Sequence, residues 1–132
     1  MNAPIRVAAA VIRDRSGRLL VVRKRGTTAF MQPGGKIDAH EEALAALARE
    51  VLEELGCRIK PTTPRFLGQF AAPAANEAGQ CVLADLYAVE LEGNVTPAAE
   101  IEEAAWVDAA TADAYRLAPL TRDCVFPLLF SA

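Results

Sequence analysis

Apolar residues along the chain fall into short runs separated by turn residues. Val7-Ala8-Ala9-Ala10-Val11-Ile12 is a continuous apolar stretch of strand length. Asp14-Arg15-Ser16-Gly17 supplies turn chemistry, and Leu19-Leu20-Val21-Val22 resumes the apolar run, so the pattern predicts a hairpin. Pro33-Gly34-Gly35-Lys36 predicts a bend through which no regular element continues. The strongest periodicity spans residues 41–55, a helix closed by Gly56. At 100° per residue Leu44, Leu47, Ala48, Val51, Leu52 and Leu55 share an arc of about 140°, the predicted buried face. Glu50, Glu53 and Glu54 share a different arc of about 100°, and Ala43 and Ala46 leave that side sterically open.

Beyond Gly56 the pattern predicts strands over 65–70 and 81–91, joined by a loop of small residues from Ala71 to Gln80, and a short strand at Ala105-Trp106-Val107. Helices are predicted over 109–117 and 121–130, the second kinked or delimited by Pro127. A long amphipathic helix between groups of strands is an α+β order, and the length of 132 residues fits one domain covering residues 1–132. No apolar run near the start is long enough for a membrane span or a signal-peptide core.

Charge changes the picture. Residues 1–36 hold eight basic side chains and one acidic, a net of +7, whereas residues 37–132 hold six basic and sixteen acidic, a net of −10. This split predicts two functional surfaces. Cys57, Cys81 and Cys124 are odd in number and lack C-x-x-C spacing, so they read as small buried apolar groups in a reducing compartment, by default the cytoplasm. A total charge of −3 argues against general affinity for nucleic acid.

Three carboxylates on one helical face repel one another. Such a face is either simply solvated or held by a hard divalent cation, for which carboxylate oxygens, water and substrate phosphates are the natural ligands. The context decides between these. From Gly35 the chain runs through Glu41, Arg49-Glu50, Glu53-Glu54 and Gly56-Cys57 with five, seven, two and one intervening residues. This resembles the signature of the Nudix hydrolases, G-x5-E-x7-R-E-U-x-E-E-x-G-U, with U a bulky apolar residue. All seven fixed letters match, a coincidence with a chance on the order of 10⁻⁹ at a given register.

The resemblance, to small MutT-like members, implies a Nudix fold in which a mixed β-sheet is sandwiched between helices, an α/β/α sandwich. It implies metal-dependent hydrolysis of a nucleoside diphosphate linked to another moiety, with Mg²⁺, or alternatively Mn²⁺, as cofactor. Glu50, Glu53 and Glu54 would hold the metal and Arg49 would orient them, while Gly35, Glu41 and Gly56 would shape the motif. Cys57 replaces the last aliphatic residue, and His40 stands where the family usually has glycine. A further carboxylate is often recruited from outside the motif as ligand or base; Glu103 is favoured, then Glu100, with Glu77 the loop alternative. Arg23-Lys24-Arg25 and Lys36 are either solvated charge or phosphate contacts, and Arg23, Arg25 and Lys36 are taken as candidate substrate-binding residues.

Substrate choice lies outside the motif. The ending Asp123-Cys124-Val125-Phe126-Pro127 is similar to that of enzymes cleansing oxidised purine triphosphates, which makes Asp123 a candidate base reader. Phe30, Met31 and Trp106 are either core or stacking residues. Pro73 lies near the spacing of ADP-ribose pyrophosphatases, and no tyrosine occupies positions 73–75, where diadenosine-polyphosphate hydrolases often carry one. The favoured reading is a nucleoside triphosphate cleaved to monophosphate and pyrophosphate, a nucleotide-pool cleansing activity. ADP-ribose or another nucleotide sugar is the alternative, and a non-catalytic nucleotide-sensing domain is the alternative of a different class. The expected partner is a small-molecule nucleotide, with no nucleic acid and no membrane; homodimers are common among short members.

Overall fold

The computed structural model describes residues 3–130. In chain order the strands are β1 (Ile5–Val11), β2 (Leu19–Lys24), β3 (Phe30–Met31) and β4 (Gly34–Lys36), followed by helix α1 (Ala43–Leu55). Strands β5 (Arg58–Ile59), β6 (Arg65–Pro73), β7 (Cys81–Ala88), β8 (Leu91–Glu92) and β9 (Ile101–Val107) come next. A 3₁₀ turn at Ala112–Ala114, a π turn at Thr121–Val125 and helix α2 (Phe126–Phe130) complete the chain. No helix among the described residues is long and apolar enough to cross a membrane.

The strands form a four-stranded mixed sheet in the order β4-β1-β7-β6, a three-stranded antiparallel sheet in the order β3-β2-β9, and a small β5-β8 pair. In the mixed sheet β1 runs parallel to β7, while β4 and β6 are antiparallel to their neighbours. The unbroken apolar runs of β1 and β2 follow from burial on both faces. Ala8, Ala10, Leu20 and Val22 pack with Leu47, Val51 and Leu55 of α1. Ala9, Val11, Leu19 and Val21 pack on the other side with Leu86, Val107 and Val125, against which Phe126 and Phe130 also rest. The strands thus lie between α1 and the C-terminal helical segment, the sandwich of an α+β chain.

Several local expectations are corrected. The predicted hairpin exists only at its turn, where the Asp14 N–H donates to the Arg18 carbonyl and the Leu20 N–H to that of Ile12. Beyond it β1 and β2 diverge into different sheets because each has a longer partner, β7 for β1 and β9 for β2. Pro33-Gly34-Gly35-Lys36 is not merely a bend, since Gly34 to Lys36 pair with Ala9 to Val7 as β4. A Cβ on Gly34, whose φ is 146°, would collide with the Ala8 carbonyl, so the missing side chain is what permits the strand.

Helix α1 is rotated roughly 70° from its predicted orientation. Its buried residues are Ala46, Leu47, Val51, Glu54 and Leu55, whereas Leu44 and Leu52 are 36% and 44% exposed. The acidic side is therefore partly inward, and Ala46, predicted to leave an open surface, is closed over. The helix predicted at 109–117 shrinks to the 3₁₀ turn because residues 116–118 are drawn alongside Phe30, which donates to Arg116 and accepts from Ala118. Near the C-terminus the Phe126 N–H reaches back five residues to the Thr121 carbonyl. Pro127 has no N–H to continue a regular α turn there. Of the cysteines only Cys57 is buried, Cys124 is intermediate and Cys81 is exposed at the start of β7, and all three are free thiols.

His40 has a φ of 67°, the left-handed region, and its side chain is exposed. Replacing it with glycine relieves that strain at the expense of extra chain entropy in the unfolded state. The expected gain is about 0.5–1 kcal/mol, read as a higher urea midpoint at unchanged slope. A lower midpoint would show that the histidine holds this conformation without strain.

Candidate active site

The β4–α1 connection is organised by one guanidinium. Arg49 grips both oxygens of Glu41, with Nε to Oε2 at 3.1 Å and an NH2 group to Oε1 at 2.9 Å. Its other amino group donates to Glu50 Oε2 at 2.8 Å. A forked cation bridging two carboxylates fixes both in angle as well as distance. The Arg49 bond is the main reason the Glu41 carboxyl titrates below its ordinary value of 4.5, and the Asp38 N–H adds to the effect. Gly56 ends α1 in the left-handed conformation, its N–H on the Leu52 carbonyl, while Thr96 and Ala98 cap the carbonyls of Leu55 and Glu54.

The carboxylates meet β4 where β4 has no side chains. A Cβ on Gly35 would come within 2.6 Å of the Glu50 carboxyl carbon. The Gly34 N–H donates to Glu54 Oε1 at 3.2 Å. Glu54 is only 6% exposed. Burial pushes its carboxyl up to about 8; the Gly34 bond and Lys24 act the other way, and the Glu50 charge adds to the rise. Glu53 is exposed on the same side of the helix. Among the described residues no three acidic, histidine or cysteine side chains are drawn together as a ready coordination cluster. The donor set nonetheless fits a hard cation: a buried carboxyl, Glu54, beside that of Glu50 offers the oxygens such an ion prefers.

A cavity of about 130 Å³ adjoins this point, with Gly34, Gly35 and Lys36 in its wall. Its other walls come from β1, from residues 73–77 and from residues 118–121. A second depression, between β1, β6 and α2, touches no residue of the motif.

The remaining predicted residues divide by position. Lys36 lines the cavity and lies 3.8 Å from Glu77, which lines it too. Met31 and Pro73 also reach it. Arg23 is engaged by Glu103 at 3.3 Å and by the Thr27 carbonyl, with its guanidinium over the Phe30 ring. Arg25 pairs with Glu102 and Lys24 with Glu100, although Lys24 also lines the cavity. Phe30 and Trp106 pack in the two cores. Asp123 is held by Arg122 through two bonds of 2.8 Å and is outside the cavity wall.

Gln32, Asn76 and Thr121 line the cavity without having been singled out from the sequence. Gln32 had a signal, a polar residue directly after Phe30-Met31 and before the glycine pair. Among the described residues Gln32 Oε1 and Thr121 Oγ are buried with no hydrogen-bond partner. Each such stranded group costs about 1–3 kcal/mol.

Because Glu41 titrates lower in the folded chain, its contribution to stability is complete above about pH 4.5 and is lost as pH falls through its folded value. Glu41→Gln is expected to lower the urea midpoint at pH 7, with the gap from the parent protein closing toward pH 3. Parallel curves for the two proteins would remove Glu41 from the ion pairing that supports the fold.

Comparisons with known proteins agree with this geometry. A family model described as the NUDIX domain matches residues 3–128. A NUDIX hydrolase from Nitrosomonas europaea shares 25% identity at a TM-score of 0.73, over 93% of this chain and 86% of that one. A MutT protein from Methanosarcina mazei Go1 shares 25% identity at 0.71, over 89% and 88%. A UDP-X diphosphatase, 18% identical with a TM-score of 0.77 over 98% of this chain and 62% of that one, shares the fold alone. No curated protein sequence matches the chain. With the motif, the sandwich and a domain match spanning nearly every residue, the chain belongs to the Nudix hydrolases and is a pyrophosphohydrolase of nucleoside diphosphate-linked substrates.

Proposed function

We propose that the chain acts as a single domain that hydrolyses a nucleoside triphosphate to the monophosphate and pyrophosphate, with Mg²⁺, or Mn²⁺ in its place, held by Glu50, Glu53 and Glu54. The observation that carries this reading is continuity. Gly34 and Gly35 touch the two inner carboxylates on one side and form the wall of the cavity on the other. Phosphates at the helix and a base in the cavity would therefore meet across these two glycines.

The cation, when bound, neutralises diphosphate oxygens and makes water more acidic. The chain's own residues do the positioning. Arg49 holds the Glu50 carboxylate in place from the side, and the Gly34 N–H holds that of Glu54. Lys36 and Lys24, both on the cavity wall, supply positive charge to phosphate oxygens. The further carboxylate that accepts a proton from the attacking water is assigned to Glu103 or Glu77. Glu77 has the advantage of lining the cavity, and each carboxylate has a cation beside it, Lys36 at 3.8 Å for Glu77 and Arg23 at 3.3 Å for Glu103.

ADP-ribose and other nucleotide sugars form the second reading, favoured by the position of Pro73 in the cavity wall. A nucleotide-sensing domain would bind without turnover.

A panel of nucleoside triphosphates, ADP-ribose and nucleotide sugars, assayed for Mg²⁺-dependent release of pyrophosphate, phosphate or monophosphate, separates the three. Pyrophosphate from a triphosphate is expected, and Glu53→Gln is expected to lower turnover by about 10²-fold or more. Equal turnover by that variant would sink the metal assignment, and binding with silence across the panel would establish the sensor. Gly35→Ala adds a methyl where Glu50 lies, and is expected to reduce kcat roughly 100-fold by misplacing that carboxylate. Unchanged kcat would show that Glu50 has room to yield.

A further inference from the structure

We propose that Gln32 and Thr121 read the base of the nucleotide, and that Gln32 selects for a base presenting an amino group. The proposal rests on the nucleotide reading above and adds the chemistry of the base to it.

Gln32 sits between β3 and β4 and is 5% exposed. Its Nε2 donates to the Ala10 carbonyl at 2.9 Å. That bond fixes which way the amide lies, because a flipped amide would set two oxygens against each other. Oε1 is therefore committed as an acceptor, and it has no partner. Thr121, fully buried, likewise keeps its hydroxyl oxygen without one. Among the described residues these are the only two such buried side-chain atoms, and both residues line the same cavity.

A purely structural wall would gain by replacing both with apolar residues of the same shape. Their coincidence on one cavity is explained if a ligand completes them. Thr121 also opens the π turn, a departure from regular helix of a kind that recurs at functional sites. Both oxygens are shielded from water, so a base reaches them only as the cavity wall yields.

The two groups make different demands. Gln32 Oε1 requires an N–H, and a ring carbonyl placed there would face its lone pairs. The Thr121 hydroxyl donates or accepts and so adapts to its neighbour on the base edge. A site with a committed acceptor discriminates strongly because the wrong ligand leaves that acceptor buried and unpaired. The alanines of the wall, Ala8, Ala9 and Ala118, offer no competing side-chain hydrogen bond, and its other polar side chains are Lys24, Lys36, Asn76 and Glu77.

The test uses matched pairs differing by amino against keto, CTP with UTP and ATP with ITP. It reads kcat/KM for pyrophosphate release and, independently of turnover, calorimetric binding of CMP, UMP, AMP and IMP. The intact protein is expected to favour the amino member of at least one pair by about tenfold or more. Gln32→Leu and Thr121→Val conserve volume and remove the two oxygens. Gln32→Leu should bring that ratio to within about twofold, mainly by weakening the amino member, and Thr121→Val should weaken both members of the pair. If nucleotides are cleaved but the intact protein shows no amino preference, or Gln32→Leu retains it, the proposal is overturned and the triphosphate reading stands. If Gln32→Leu fails to fold, Thr121→Val and the preference of the intact protein decide. Absence of both cleavage and monophosphate binding in the intact protein overturns the two readings together.

Discussion

Helix α1 can press its acidic side inward only because residues 34 and 35 have no side chains. Gly34 lets β4 close onto the Ala8 carbonyl, and Gly35 leaves the volume that the Glu50 carboxyl fills. With any larger residue there, the helix would be held off the sheet and the Gly34 N–H would lose Glu54. The rotation of α1, the burial of Glu54 and the position of the cavity beside it all descend from that contact. Arg49 secures the outer side of the arrangement through Glu41 and Glu50, so the site is braced from two directions by groups of opposite character, a fork of donors and a bare backbone.

The division of charge along the chain has a different meaning in three dimensions. Five cations of the first 36 residues pair with acids of the remainder: Arg6 with Asp85, Arg23 with Glu103, Lys24 with Glu100, Arg25 with Glu102 and Lys36 with Glu77. The two halves interleave where two separate surfaces were expected. Strand β9 lies antiparallel to β2, with Glu103 opposite Arg23, so opposite signs face each other at the rim of that sheet. These pairs are largely exposed and worth little individually to stability. Their effect is electrostatic, since they leave the rim close to neutral, and the cavity-wall cations Lys24 and Lys36 are themselves among the paired charges.

Much of the motif's architecture was legible because it is local. Gly35, Glu41, Arg49 and the glutamates lie within 23 residues, and their spacing alone specifies one helix with a loop folded back on it. The long strands were also readable, since β1, β2 and β7 are apolar runs bounded by turn residues. What failed was non-local. The divergence of β1 from β2 depends on β7 and β9, and the loss of the helix at 109–117 depends on Phe30, more than eighty residues away in sequence. Hydrophobic periodicity also misjudged the buried face of α1. It assigns every leucine inward, whereas the face is chosen by where Gly34 and Gly35 admit carboxylates. Gln32 and Thr121 carry no spacing signal at all, because their link is a shared cavity between distant segments.

The rotation of α1 leaves Leu44, Ala48 and Leu52 facing outward while Ala46 and Glu54 lie within. Mutational tolerance along this helix therefore runs against residue type. The two leucines that look most like core letters are the ones free to vary toward polar residues, with solubility rather than folding as the quantity selected. The alanine at 46 is fully buried, so a larger side chain there must displace its surroundings. A change there is expected to cost stability, though the residue carries no chemistry of its own.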